Sequence, residues 1–154
     1  MKLGRLVLFV IFSAFSISVF AQDSDARLKE RLDGSWAVIT GKVVNVKKVT
    51  GVQGDGMSEH SPDWYCAEIK VGSVLKGMVR TTVRKTFKMY FPASMDITQF
   101  RHPKFKKGQE GIWLLRFTDD VNLKKYDVNA KVALDPLDFQ AVDQESKIKD
   151  LLRK

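Results

Sequence analysis

Basic side chains are concentrated in one stretch of the sequence, between Lys76 and Lys107. That stretch contains nine lysines and arginines but a single acid, Asp96, so its net charge is +8. The nine cations are Lys76, Arg80, Arg84, Lys85, Lys88, Arg101, Lys104, Lys106 and Lys107. A local excess of one charge sign attracts polymers of the opposite sign, so binding of an anionic polymer is the first chemistry to consider.

The alternating pattern from Val83 to Phe91 predicts a strand that displays part of this charge. Arg84, Lys88 and Tyr90 fall on one face, and cations interleaved with an aromatic ring suit an anionic polymer. Together with Arg80 they are our candidate ligand-binding residues. Two other interpretations stay open: a charged edge that prevents aggregation, or ordinary solvated surface.

Trp64 is a further candidate, because it follows the loop from Thr50 to Asp63. An exposed indole there would be a stacking platform for a sugar or a base, whereas a buried one would anchor the next strand. We favour burial. Trp36 and Trp113 lie in alternating segments and are predicted to be core residues.

Catalytic patterns are weak. The two histidines, His60 and His102, lie in no recognised catalytic motif, and no nucleophile-elbow sequence occurs. The acids around His60 lack an established metal-ligand spacing, and Cys66 is better interpreted as a buried residue than as a reactive thiol. We therefore expect a non-catalytic protein with no cofactor and no metal. A carboxylate pair of the glycosidase type is compatible with any fold, so an uncharacterised enzyme remains an alternative.

The N-terminus has the pattern of a cleaved signal peptide over residues 1–21. Lys2 and Arg5 precede an apolar run of about 15 residues, from Leu6 to Phe20, and Ala21 then supplies the small residue of a cleavage site. This run is shorter than the roughly 20 residues of a membrane span, so an uncleaved anchor is the less favoured alternative. We expect a periplasmic or extracellular protein beginning at Gln22, with no stable membrane span.

The mature chain is predicted to be mainly β. Residues 22–34 form a polar arm or short helix, and residues 35–154 form a five-stranded OB-like barrel with a C-terminal α-helix, an open sandwich being the alternative. The predicted strands are Trp36–Val49, Trp64–Val71, Val83–Phe91, the alternating stretch within Lys107–Thr118, and a short fifth strand containing Tyr126, Val128 and Ala130, after a polar loop at Asp119–Lys125. Gly41 is expected to bend the first strand, and Asp135 with Pro136 to begin the final helix.

Three segments carry a family resemblance. AVITGKVVNV, VGSVLKG and GQEGIWLL, within Ser35–Phe117, resemble the OB-like domains of the tissue inhibitor of metalloproteinases and netrin-module type, as in small exported bacterial proteins of unassigned role. The resemblance implies a secreted, non-catalytic module that binds a protein or a matrix. Those inhibitors ligate the protease zinc through an N-terminal cysteine, whereas this mature chain would begin at Gln22 and contains only Cys66. Inhibition by that mechanism is therefore not implied.

The sequence thus predicts an exported binding or interaction module, whose ligand is a protein partner or an anionic polymer. Ligands of OB-like barrels lie on the second and third strands, between the first-to-second and fourth-to-fifth loops. A surface polysaccharide and phospholipid headgroups are the anions that an exported protein meets, so nucleic acid is the least favoured ligand.

Replacing Arg84 and Lys88 together with glutamate tests the polyanion hypothesis. We expect the double variant to lose the salt-sensitive retention of the native protein on a heparin resin, because two attractive charges become repulsive. Elution at an unchanged salt concentration would reject this strand face as a polyanion site.

Overall fold

The computed structural model describes residues 24–52, 63–77, 86–93 and 102–154. Its helices are α1 (residues 24–33), α2 (Val121–Tyr126) and α3 (Glu145–Arg153). Its strands are β1 (Ala37–Lys48), β2 (Trp64–Lys76), β3 (Thr86–Pro92), β4 (Glu110–Phe117), β5 (Lys131–Val132) and β6 (Phe139–Gln140). The predicted signal peptide, residues 1–21, lies outside the described residues.

Strands β1 to β5 close into a barrel. Antiparallel pairs join β1 to β2, β2 to β3, β1 to β4 and β4 to β5. A parallel bridge between Tyr90 in β3 and Val132 in β5 completes the ring. The prediction of a mainly β protein, with a five-stranded OB-like barrel and a C-terminal helix, is confirmed.

The bend predicted at Gly41 is present in β1. The register against β2 shifts at three points, one of them between Thr40 and Gly41, so β1 curves and pairs with both β2 and β4. A Cβ atom on Gly41 would overlap the carbonyl oxygen of Lys70 and lie 2.9 Å from Cγ2 of Ile69. Glycine therefore permits the close approach of β2 that the curvature requires.

Both faces of β4 are buried. Trp113 and Leu115 point into the barrel interior, while Ile112 and Leu114 pack under α1 and α3. The burial of Trp113 was expected, but two apolar faces make β4 a layer between two cores. Phe117, at the end of its apolar row, is instead 47% exposed.

Residues 24–33 are helical, and this helix is tied firmly to the barrel. Leu28 and Leu32 are buried in the same cluster as Ile148 of α3. The guanidinium of Arg31 donates to the carboxylate of Asp138, which is itself buried. Lys76 donates to the main-chain oxygen of Leu32 at 2.6 Å and so satisfies a carbonyl at the helix end.

The connection from β4 to β5 differs from the prediction. The polar loop expected at Asp119–Lys125 contains α2, whose N-cap Asp120 accepts a hydrogen bond from the amide of Leu123 at 2.6 Å. The fifth strand is Lys131–Val132, so the strand expected around Tyr126, Val128 and Ala130 is wrong. Tyr126 is the last residue of α2, and Val128 lies in a turn that is closed by the hydrogen bond from the amide of Ala130 to the oxygen of Asp127 at 2.9 Å, so this apparent alternation is not extended.

The C-terminal helix begins later than predicted. Asp135 does cap the segment that follows it, but this segment is a 3-10 turn, Pro136–Asp138. Strand β6 and a second 3-10 turn intervene before α3 begins at Glu145. Phe139 is in a strand and not in the predicted helix, because it pairs with Trp113 and lies against Gly111. Within the described ranges, no helix is both long and apolar enough to span a bilayer.

The Gly41→Ala variant tests the bend in β1. We expect it to lower the free energy of unfolding by about 1–3 kcal/mol, because the added methyl group displaces the β2 backbone. Gly72→Ala is the matched control, since its Cβ would lie 3.1 Å from Oγ1 of Thr40 and no closer than 3.6 Å to the Thr40 carbonyl oxygen, so it would not overlap the backbone. Urea unfolding should show the smaller loss for the control, and equal losses would contradict this role of Gly41.

Candidate ligand-binding groove

A groove of about 710 Å³ lies between β3 and the connection from β4 to β5. We call it the β3 groove. It is lined by Glu68, Thr86, Phe87, Lys88, Tyr90, Tyr126, Asp127, Val128, Asn129 and Lys131. Its walls thus come from the second and third strands and the fourth-to-fifth connection, where OB-like barrels bind ligands.

One wall is held by hydrogen bonds to Asp127. The hydroxyl of Tyr90 donates to Oδ2 at 2.9 Å, and the amide of Asn129 donates to Oδ1 at 3.0 Å. Burial raises the pKa of the Tyr90 hydroxyl, and the hydrogen bond to Asp127 raises it further. The phenol therefore remains a protonated donor at neutral pH and fixes the connection against β3.

Aromatic rings surround Lys131 at another part of the groove. The ammonium of Lys131 lies 5.2 Å from the ring centroid of Trp36 and 4.8 Å from that of Phe117. It also donates to the carbonyl oxygen of Asn129 at 2.7 Å. The Trp36 ring is 6.2 Å from that of Phe87, which lines the groove.

Trp36 is 40% exposed, so the prediction that it is a core residue is wrong. It precedes β1 and packs over the buried Lys131 side chain instead of entering the barrel. Cation–π contact with the ammonium stabilises this placement. With Phe117 it forms an exposed aromatic surface next to the groove.

The charges lining the groove are mixed. Glu68 and Asp127 supply two carboxylates, and Lys88 and Lys131 supply two ammonium groups. Glu68 also lies 3.6 Å from the ammonium of Lys47. The described part of the groove therefore carries charges of both signs.

Several cations of the basic stretch have structural partners. Lys76 caps α1, and the ammonium of Lys104 donates to the carbonyl oxygen of Pro92 at 2.5 Å. Arg80 and Arg84, two of the candidate ligand-binding residues, lie outside the described residues. The net charge of a sequence segment thus overstates the charge that it presents on one surface.

The other three candidate residues lie in different environments. Lys88 is exposed in the groove, and Tyr90 lines it but is only 1% exposed, with its hydroxyl engaged by Asp127. Trp64 is also only 1% exposed and packs with Cys66 and Leu123, so it anchors β2 and offers no stacking platform.

Sequence reasoning missed Tyr126, Asp127 and Lys131 as groove residues. The available signal was their position in the fourth-to-fifth connection, which the OB-like prediction had already named as a flank of the site. Tyr126 is 53% exposed and supplies an aromatic surface opposite β3.

The titratable groups with shifted pKa values elsewhere do not line the groove. Burial lowers the pKa of His102, whose Nδ1 has no hydrogen-bond partner among the described residues. Burial raises the pKa of the Cys66 thiol to about 11. In the part of the chain that the structure describes, no group of three or more His, Cys, Asp or Glu residues is arranged to hold a metal ion.

No protein-family model matches the sequence, and no curated protein matches it at a significant level. The resemblance to inhibitor and netrin-type modules therefore stays a prediction.

Tyr90→Phe tests the hydrogen bond that holds the groove wall. We expect it to lower the free energy of unfolding by about 1–3 kcal/mol, because the Asp127 carboxylate loses a partly buried donor. Tyr126→Phe is the matched control, since it removes a hydroxyl from an exposed ring and should change stability by less than about 0.5 kcal/mol.

The stability of the native protein and that of Tyr90→Phe are expected to depend differently on pH. The folded-state pKa of Tyr90 is raised above the ordinary value of 10.0, so its contribution is complete below pH 10 and is lost as the pH rises further. The native protein should therefore lose stability above pH 10 more steeply than Tyr90→Phe. Parallel pH profiles would contradict the assignment.

Proposed function

We propose that the protein is an exported, non-catalytic binding module whose ligand lies in the β3 groove. The observation that carries the proposal is the position of the groove, on β2 and β3 beside the β4–β5 connection. Its volume of about 710 Å³ falls within the usual range for ligand sites. The N-terminal signal pattern supports export.

The chemistry of the lining residues supports binding over catalysis. Both oxygens of Asp127 accept hydrogen bonds from the protein itself. Tyr90 is a buried donor whose raised pKa suits a structural hydroxyl at neutral pH. The groove thus offers aromatic surface, charge and hydrogen-bonding groups, which suit recognition.

A protein partner fits these features better than a polyanion does. Exposed Trp36, Phe117 and Tyr126 provide aromatic area of the kind that is enriched in protein interfaces. Among the described lining residues there are two acids and two lysines, and such a mixture suits complementary pairing with side chains of both signs. The family resemblance implies the same class of partner.

Binding of a polyanion is the second candidate. It is favoured by the exposed position of Lys88 in the groove and by the net charge of +8 between Lys76 and Lys107. A surface polysaccharide or phospholipid headgroups would be the ligand. Strong salt dependence distinguishes this candidate from an aromatic protein interface.

Affinity capture with groove variants tests the proposed function. The tagged protein is incubated with the exported fraction of its source cells at moderate salt, and recovered partners are quantified by mass spectrometry. We expect Tyr126→Ala and Lys88→Glu to reduce recovery of a specific partner by about tenfold, the effect of losing about 1.4 kcal/mol of binding free energy.

Lys107→Glu is the matched control, because this exposed lysine lies at the turn before β4 and does not line the groove. It should recover as much partner as the native protein. Equal recovery by all variants would reject the groove as the binding site. Loss of capture at high salt, together with salt-sensitive heparin retention, would support the second candidate.

A further inference from the structure

The barrel is closed unevenly along β3. On one side, β3 pairs with β2 over its whole length, from Thr86 opposite Lys70 to Pro92 opposite Trp64. On the other side, its pairing with β5 consists of the bridge between Tyr90 and Val132. The half of β3 that precedes Tyr90 therefore borders the groove, and no strand among the described residues pairs with it on that side.

The direction of the backbone groups follows from two hydrogen bonds. The amide of Ala133 donates to the carbonyl oxygen of Tyr90 at 2.9 Å, so the main chain of Tyr90 faces β5. The amide of Ala93 donates to the oxygen of Asp63 at 2.9 Å, on the β2 side. Because main-chain groups alternate along an antiparallel strand, those of Thr86 and Lys88 face the groove, as those of Tyr90 do.

Within the described ranges, no strand pairs with Thr86 or Lys88 on that side. Both residues are exposed. Their amides and carbonyls repeat at a spacing of about 6.8 Å, two residues along an extended chain. The main chain of another extended polypeptide presents complementary acceptors and donors at the same spacing, so it is able to pair with this edge.

We propose that the groove receives an extended polypeptide segment of a partner protein, which adds as a strand to the Thr86–Lys88 edge of β3. This inference rests on the proposed binding function and names the chemical class of its ligand. Main-chain hydrogen bonds supply the pairing, and side chains on alternate faces supply selectivity.

The two faces of this edge define the partner sequence. Phe87 belongs to the barrel-interior cluster and contacts the exposed ring of Trp36, so one face of the added strand meets aromatic surface. Lys88 projects on the opposite face. An acid directly opposite Lys88 gives a favourable cross-strand pair, and an apolar side chain beside Phe87 extends the apolar contact. The segment therefore alternates acidic and apolar residues.

A capped seven-residue peptide that alternates glutamate and valine is the probe. Binding is measured by titration, with amide hydrogen exchange as the second readout. We expect the peptide to slow exchange of the Thr86 and Lys88 amides, and its addition to change the fluorescence of exposed Trp36. No binding, or binding without protection of these amides, overturns the inference.

Backbone methylation tests strand pairing apart from side-chain contact. One version of the peptide is N-methylated at three of its glutamates and another at three of its valines, so the two versions have the same sequence, charge and number of methyl groups. A paired strand turns only one set of amides toward β3, so one version should lose affinity by about tenfold and the other should keep it. Equal affinities of the two versions overturn the inference.

Lys88→Pro and Lys88→Ala separate the two contributions of this residue in the protein. Both lack the ammonium, but only proline lacks the amide that faces the groove, and proline is tolerated where that amide is not paired within the sheet. We expect Lys88→Pro to bind the peptide about tenfold more weakly than Lys88→Ala. If Lys88→Pro does not fold, the methylated peptides decide the question with the native protein.

Two further outcomes separate failure of strand addition from failure of the proposed binding function. If Tyr126→Ala abolishes capture of a partner but the peptide fails to bind, the groove is a binding site and strand addition is wrong. If the Thr86 and Lys88 amides become protected without peptide as protein concentration rises, a second copy occupies the edge, which also overturns the inference.

Discussion

The architecture depends on the contact between two glycines. Gly41 of β1 and Gly111 of β4 are directly opposite each other where these strands pair. A side chain on Gly41 would overlap β2, and one on Gly111 would overlap the ring of Phe139. The absence of both side chains lets β1 curve between two partners and lets the Phe139 ring pack beside Trp113 on the face of β4 that points into the barrel. The curvature that closes the barrel therefore depends on the missing side chains at this pair of residues.

The same curvature accounts for the groove. Strand β1 pairs with β2 and β4 along most of its length, whereas β5 contributes two residues to the sheet. The barrel is therefore extensively paired around β1 but is closed between β3 and β5 by the bridge from Tyr90 to Val132. The hydrogen bond from Tyr90 to Asp127 holds the β4–β5 connection beside the part of β3 that pairs with β5. The proposed site is the space left by a short strand.

The regular part of the barrel was predictable because its signals are local. Gly41 interrupts a β-branched run, and alternation around Trp113 identifies β4 without knowledge of the partners. The fifth strand was missed because α2, at six residues, is too short to show a helical period. The late start of α3 was missed because Phe139 is recruited by Gly111 across the sheet, a tertiary contact that local capping signals do not contain.

The position of the groove was more predictable than the chemistry of its lining. The order of strands indicated β2, β3 and the fourth-to-fifth connection, and these elements line the groove. Its charge depends on which lysines face it, and Lys76 turns out to cap a helix instead. The exposure of Trp36 depends on Lys131, a residue 95 positions later in the sequence, as counted from their numbers.

The burial of Cys66 bears on the proposed export, because an exported chain matures in an oxidising compartment. Its sulfur is enclosed beside Trp64 and Tyr90, and a pKa near 11 keeps it as the unreactive thiol in the folded chain. Only nascent or unfolded chains present it to an oxidant or to another chain. Disulfide-linked dimers would therefore form between chains that have not yet folded. Their abundance would report the rate of thiol oxidation relative to the rate of folding.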